Sequence, residues 1–131
     1  MPSTSTRASA LLPRSACAFG LLLLLGGCSS ESAPMHIPGG DAQAGMQAIQ
    51  RYGCVSCHTI PGLPGYGANV GPPLRGMGER AYVAGVIANT PENLVRWLQS
   101  PPEIDPRTAM PDLGVSEREA RDIAAYLVSA H

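Results

Sequence analysis

Five consecutive residues, Cys54-Val55-Ser56-Cys57-His58, constrain this chain more than any other feature. Two thiols three positions apart sit about one helical turn from each other, and an imidazole follows directly, so all three can address one body from the same side. A thioredoxin-like dithiol would need a βαβ setting, and the sequence offers none. A zinc site would need further ligands at metal spacing, yet only His36 and His131 remain, both near chain ends. A plain disulfide would leave His58 unexplained. The spacing is instead that of covalent haem attachment, in which the thiols add across two vinyl groups and the imidazole reaches the iron.

Composition points the same way. Only 5% of the chain is aromatic, so a few helices and long loops have little bulky material from which to build a core. A large apolar group would supply it.

Attachment of this kind also fits an exported chain. Residues 1 to 28 begin polar, with Arg7 and Arg14 and no acid, run apolar from Ala16 to Leu25, and close on Gly26-Gly27-Cys28. This is the three-part form of a secretory signal, and its apolar run is about half the roughly 20 residues a membrane-spanning helix needs. Leu25-Gly26-Gly27-Cys28 resembles a bacterial lipobox, which implies lipidation of Cys28 and loss of residues 1–27. Several acyl chains on one terminus would hold the protein at the bilayer, where a single chain is marginal. Ser29 after the cysteine resembles an outer-membrane sorting signal, so inner and outer membrane both stay open, on the periplasmic side. Cys17 falls in the leader, which leaves Cys54 and Cys57 as the free pair.

After that cleavage, seven arginines stand against ten carboxylates, a net charge of −3 with no lysine anywhere. A nucleic-acid partner would need a basic face, so that class is excluded. Residues 28–40, rich in Ser, Pro and Gly, read as a flexible tether, and the expected domain is 41–131.

Helix signals bracket the rest. Asp41 caps a first helix that places Gly45, Ala48, Ile49 and Tyr52 on one face, ended by Gly53. Thr90 and Pro91 start a second, carrying Leu94, Trp97 and Leu98 and expected to stop at Pro101-Pro102. Ser116 and Glu119 form a capping-box pattern for a third, with Ala120, Ile123, Ala124 and Leu127 inward and Glu117, Arg118, Arg121 and Asp122 mostly outward. Residues 59–78 are Gly- and Pro-rich loop. The weak alternation over 80–88 allows either a short extended pair or a helical turn.

Taken together, the attachment motif, Gly71-Pro72-Pro73-Leu74 and Met110-Pro111 make residues 41 to 130 similar to a class I cytochrome c, especially the small bacterial domains that work with terminal oxidases. The resemblance implies an all-α fold of three to four short helices with long Gly/Pro loops wrapped around one covalent haem c. It implies that the Pro72 carbonyl accepts a hydrogen bond from His58, that Met110 is the second axial ligand of the iron, and that Trp97 lies against the methionine side. Leu74 and Met77 would pack on the haem. Gly45 and Ile49 with Ile123 and Tyr126 would form a crossing of the terminal helices.

With both axial positions taken by His58 and Met110, no coordination site is open to a substrate. The expected function is one-electron transfer rather than catalysis, with a relatively high potential because a thioether favours ferrous iron. The expected donors are a quinol-oxidising complex or a dehydrogenase, and the acceptors a terminal oxidase or a reductase. Two alternatives stand beside it. One is a haem enzyme or gas sensor with a labile or absent sixth ligand; the other is a fixed cytochrome subunit of a larger oxidoreductase.

Overall fold

The computed structural model describes residues 34–65 and 70–131. The expected leader, the lipidation site Cys28 and the first part of the tether lie outside the described residues.

Four α-helices are present among the described residues: α1 (Ala42–Arg51), α2 (Pro91–Gln99), α3 (Pro101–Ile104) and α4 (Glu117–Ser129). Each long helix begins where its cap residue sits. The Asp41 carboxylate accepts from the backbone N–H of Gln43 and Ala44, Thr90 Oγ1 accepts from Asn93 N–H, and Ser116 Oγ accepts from Glu119 N–H. These bonds satisfy donors that a first helical turn leaves without partners.

α1 crosses α4 at Gly45. A Cβ at that position would overlap the Asp122 carbonyl, so glycine is what allows the two backbones to touch. Ala48 and Ile49 from α1, and Ala120, Ile123, Ala124 and Leu127 from α4, are buried around this crossing, with Leu94, Val95, Trp97 and Leu98 of α2 closing the core.

The second helix stops immediately before the proline pair, as expected. It ends at Gln99, and Pro101, whose fixed φ suits a first helical position, opens the short α3. Residues 80–88 resolve into an antiparallel hairpin, β1 (Tyr82–Val83) and β2 (Ile87–Ala88), in which Val83 faces Ile87 and Tyr82 faces Ala88. The fold is therefore mostly helical with one small sheet. At the hairpin tip Ala84 and Gly85 both have positive φ, 50° and 77°, and Val86 N–H bonds to Val83 O at 3.0 Å. This is the mirror-image turn that matches strand twist.

Two expectations are corrected. Asp122 is not on the solvent face: it is 4% exposed. Its Oδ1 accepts the Asp41 N–H at 2.8 Å, and its Oδ2 lies 3.4 Å from Arg118 Nε. A buried carboxylate at the N-terminus of α1 is stabilised by that backbone donor and by the helix dipole. The tether is also shorter than 28–40, because Ile37 is 1% exposed and Met35 packs partly against the core. A turn closed by Gly40 N–H to Ile37 O brings Gly40 against α4, where a Cβ would lie 2.6 Å from the Arg121 carbonyl oxygen. The single apolar Ile37 in a polar run carries no periodicity, so only packing reveals its place.

Candidate cofactor site

The helices and loops enclose a cavity of about 410 Å³. Its floor is made by Ile49 of α1, Leu94 and Leu98 of α2, and Ile123 and Leu127 of α4, the inward faces of the three long helices. An apolar space that large fits a bound group rather than a packing fault.

One wall is the attachment segment. Gly53, with φ 69°, turns the chain out of α1, and a single 3-10 turn over Cys54–Ser56 follows. His58 N–H bonds to Cys54 O at 3.0 Å, so both thiols and the imidazole line the cavity together. Cys54 and Cys57 are free thiols, and burial raises the Cys54 thiol above its ordinary pKa.

His58 Nδ1 donates to the Pro72 carbonyl at 2.8 Å. A carbonyl only accepts, so the proton is on Nδ1 and Nε2 keeps its lone pair for a metal. Two backbone bonds position that carbonyl, Gly71 N–H to Cys57 O at 2.8 Å and Leu74 N–H to Thr59 O at 2.9 Å.

The loop after α3 also lines the cavity. Met110 lines the cavity with Thr108 and Pro111, and its N–H donates to Thr108 Oγ1 at 3.1 Å. Trp97, 7% exposed, and Met77, 5% exposed, line the same space, as do Pro72 and Leu74. Every residue singled out for the site, apart from the lipidation position, is thus brought to one cavity. A cavity lined by two thiols, an imidazole with a free nitrogen, a thioether and aliphatic side chains fits a covalently held haem.

Other contributors were not foreseen. Arg80 is the only charged side chain on the cavity wall among the described residues, and its Nη2 is held by the carbonyls of Pro73 at 2.6 Å and Arg75 at 2.9 Å. Asn89 Nδ2 donates to Met77 O and Arg80 O, fastening the Met77 turn to the hairpin. Tyr52 also lines the cavity, and its hydroxyl donates to Glu119 Oε2 at 2.7 Å. That bond, with burial second, raises the phenol above its ordinary pKa. Glu119 is drawn down to about 2, chiefly by Ser116 Oγ, then by Tyr52 and Arg51. Each of these contacts joins segments whose pairing no local pattern encodes, except that Ser116 and Glu119 already stood out as a cap.

Residues 42–131 match the family model described as Cytochrome c. Cytochrome c oxidase subunit 2 of Alkalihalophilus pseudofirmus is 33% identical over 89 residues, covering 67% of this chain and 25% of that protein. The protein of the same name from Bacillus subtilis is 34% identical over 85 residues, covering 60% and 24%. That from Bacillus sp. strain PS3 is 29% identical over 87 residues, covering 63% and 24%. The chain spans about a quarter of the length of these curated relatives.

Proposed function

The chain belongs to the cytochrome c family, and on that premise we propose that it is a one-electron carrier, with His58 and Met110 as the two axial ligands, serving a terminal oxidase. Covalent haem c with its iron is the family's cofactor, and it supplies the Fe(III)/Fe(II) couple through which a single electron passes.

The chain's own residues define how that couple works. Cys54 and Cys57 hold the group by thioether bonds, which keep it in place through repeated turnover. His58 presents Nε2, and its Nδ1–H bond to Pro72 fixes the ring plane and strengthens the imidazole as a donor. Met110 would offer a softer sulfur from the loop after α3, and such ligation favours the reduced state and raises the potential. Leu74, Met77 and Trp97 on the lining would exclude water from the bound group. Cys54 and Cys57, both only partly buried, would leave it within reach of a partner on their side.

The observation that carries this reading is the placement of His58, its Nδ1 already engaged, and of Met110 on the lining of the same apolar cavity. The test is an absorption spectrum of the haem-loaded chain. A methionine-to-ferric-iron charge-transfer band, lost in Met110→Ala, and slow or absent carbon monoxide binding by the ferrous protein are expected. Rapid stoichiometric carbon monoxide binding at rest would point to the enzyme or sensor instead.

A terminal oxidase as acceptor is supported by relatives named as oxidase subunits. The same likeness favours a second arrangement, in which the domain is a fixed part of such a complex. Recovery of the oxidase with the affinity-tagged chain after detergent extraction distinguishes a bound subunit from a free shuttle. Lipidation at Cys28 on the periplasmic face belongs to the same proposal and rests on the leader sequence. Cys28→Ser should move the protein to the soluble fraction.

A further inference from the structure

Among the described residues the cavity wall carries one ionised side chain, Arg80, but a second charge stands directly behind it. Tyr52 lines the cavity, and its hydroxyl reaches Glu119 Oε2, 2.7 Å away. Ser116 Oγ donates to the same oxygen at 2.6 Å, while Glu119 Oε1 accepts from Arg51 Nη2 at 3.0 Å. The carboxylate is therefore held by three donors from α1 and from the start of α4, one phenol ring away from the cofactor space.

The paired charges do not cancel there. The Glu119 side chain is 29% exposed and that of Arg51 56%, so water screens the guanidinium more than the carboxylate. Glu119 also reaches the cavity through a residue that lines it, whereas Arg51 is not on the lining. The pair therefore adds a negative contribution to the field in the cavity, set against the positive one of Arg80 on its wall. Ferric iron carries one more positive charge than ferrous iron, so such a contribution favours the oxidised state.

We propose that Glu119, presented to the cavity through Tyr52 and partly offset by Arg51, is a fixed charge that lowers the reduction potential of the bound haem, against the raising effect of methionine ligation. Glu119 acts as a positioning and tuning residue that touches neither iron nor ring. This rests on the electron-carrier reading above. The depressed pKa of the carboxylate agrees with it, since the charge is then present throughout the neutral range.

The test is a spectroelectrochemical titration at low ionic strength, repeated at high ionic strength, of the haem-loaded full chain and three variants, with thermal midpoints recorded on the same samples. Glu119→Gln removes the charge yet keeps a side chain suited to the capping box, and its potential is expected to rise. Arg51→Gln removes the offset, and its potential is expected to fall by a smaller amount. Tyr52→Phe keeps the charge and removes only the bond, and should shift the potential less than Glu119→Gln.

Loosening of the α1–α4 contact would admit water and lower the potential in every variant. Opposite signs for Glu119→Gln and Arg51→Gln are thus a signature that a merely structural role does not produce. An unchanged or lowered potential in Glu119→Gln overturns the proposal. If that variant does not fold, Arg51→Gln decides through its salt dependence: a fall that vanishes at high ionic strength upholds the proposal, because loosening would lower the potential at any salt, and no change, a rise or a fall that salt leaves untouched overturns it. Absence of covalent haem from the wild-type spectrum would instead strike the carrier reading itself, and is seen before any potential is measured.

Discussion

Gly71 lies flat against the imidazole of His58, so close that a Cβ there would stand 2.6 Å from Nδ1 and 2.9 Å from Nε2. The glycine of the Gly-Pro-Pro-Leu segment therefore serves the ring directly, and the next residue, Pro72, supplies the carbonyl that orients it. Gly71→Ala is expected to push the imidazole out of line, break the 2.8 Å bond and lower the yield of haem-loaded protein. Absorption spectra and haem content of purified protein check this; a variant with wild-type spectrum and yield would show that the ring has room to spare.

At the helix crossing, Gly45→Ala forces α1 and α4 apart because the added methyl overlaps the Asp122 carbonyl. Backbone cannot give way as a flexible side chain can, so the loss should reach about 3 kcal/mol, the upper end for overpacking. For a domain of this size the melting temperature would fall by roughly 12–24 °C. Differential scanning calorimetry of the haem-loaded protein measures it.

Ile37 contributes a fully buried side chain from a segment that reads as tether. Ile37→Ala should cost about 2–4 kcal/mol, and a chain starting at Asp41 should lose at least as much relative to one starting at Pro34. Denaturant unfolding of the two truncated proteins decides the point, equal midpoints meaning that the segment adds nothing.

Acid should act through Glu119. Its carboxyl is held down to about 2 from an ordinary value near 4.5, so the folded state binds its proton less readily than the unfolded state. The stabilisation is complete above about pH 5 and is lost as the pH falls toward 2. Glu119→Gln, which has no proton to gain, should start less stable at neutral pH and lose less than the wild type between about pH 5 and pH 2. Thermal midpoints of both proteins across that range give the comparison; parallel curves would mean that other carboxylates govern the acid response.

The cofactor class, the three principal helices and the attachment residues could be read from the sequence because each rests on local chemistry, whereas Pro72, Leu74, Met77, Trp97 and Met110 were marked out by resemblance to a family. Attachment needs Cys54, Cys57 and His58 at a fixed spacing, and caps such as Asp41, Thr90 and Ser116 act within one turn. Gly53 ends α1 through its own backbone. These signals operate over a few residues, the range in which order along the chain and neighbourhood in space coincide.

Tertiary structure alone decided the rest. Asp122 lies on the charged side of its own helix, and only the arrival of α1, 81 residues away in the chain, buries it and gives its carboxylate the Asp41 N–H. Ile37 gained its role from burial in the core, the 80–88 segment became a hairpin through the pairing of Val83 with Ile87, and Tyr52 met Glu119 across 67 residues. Burial and hydrogen-bond pairing between distant segments depend on how elements cross, and a side chain's own periodicity does not encode what another helix will bring against it.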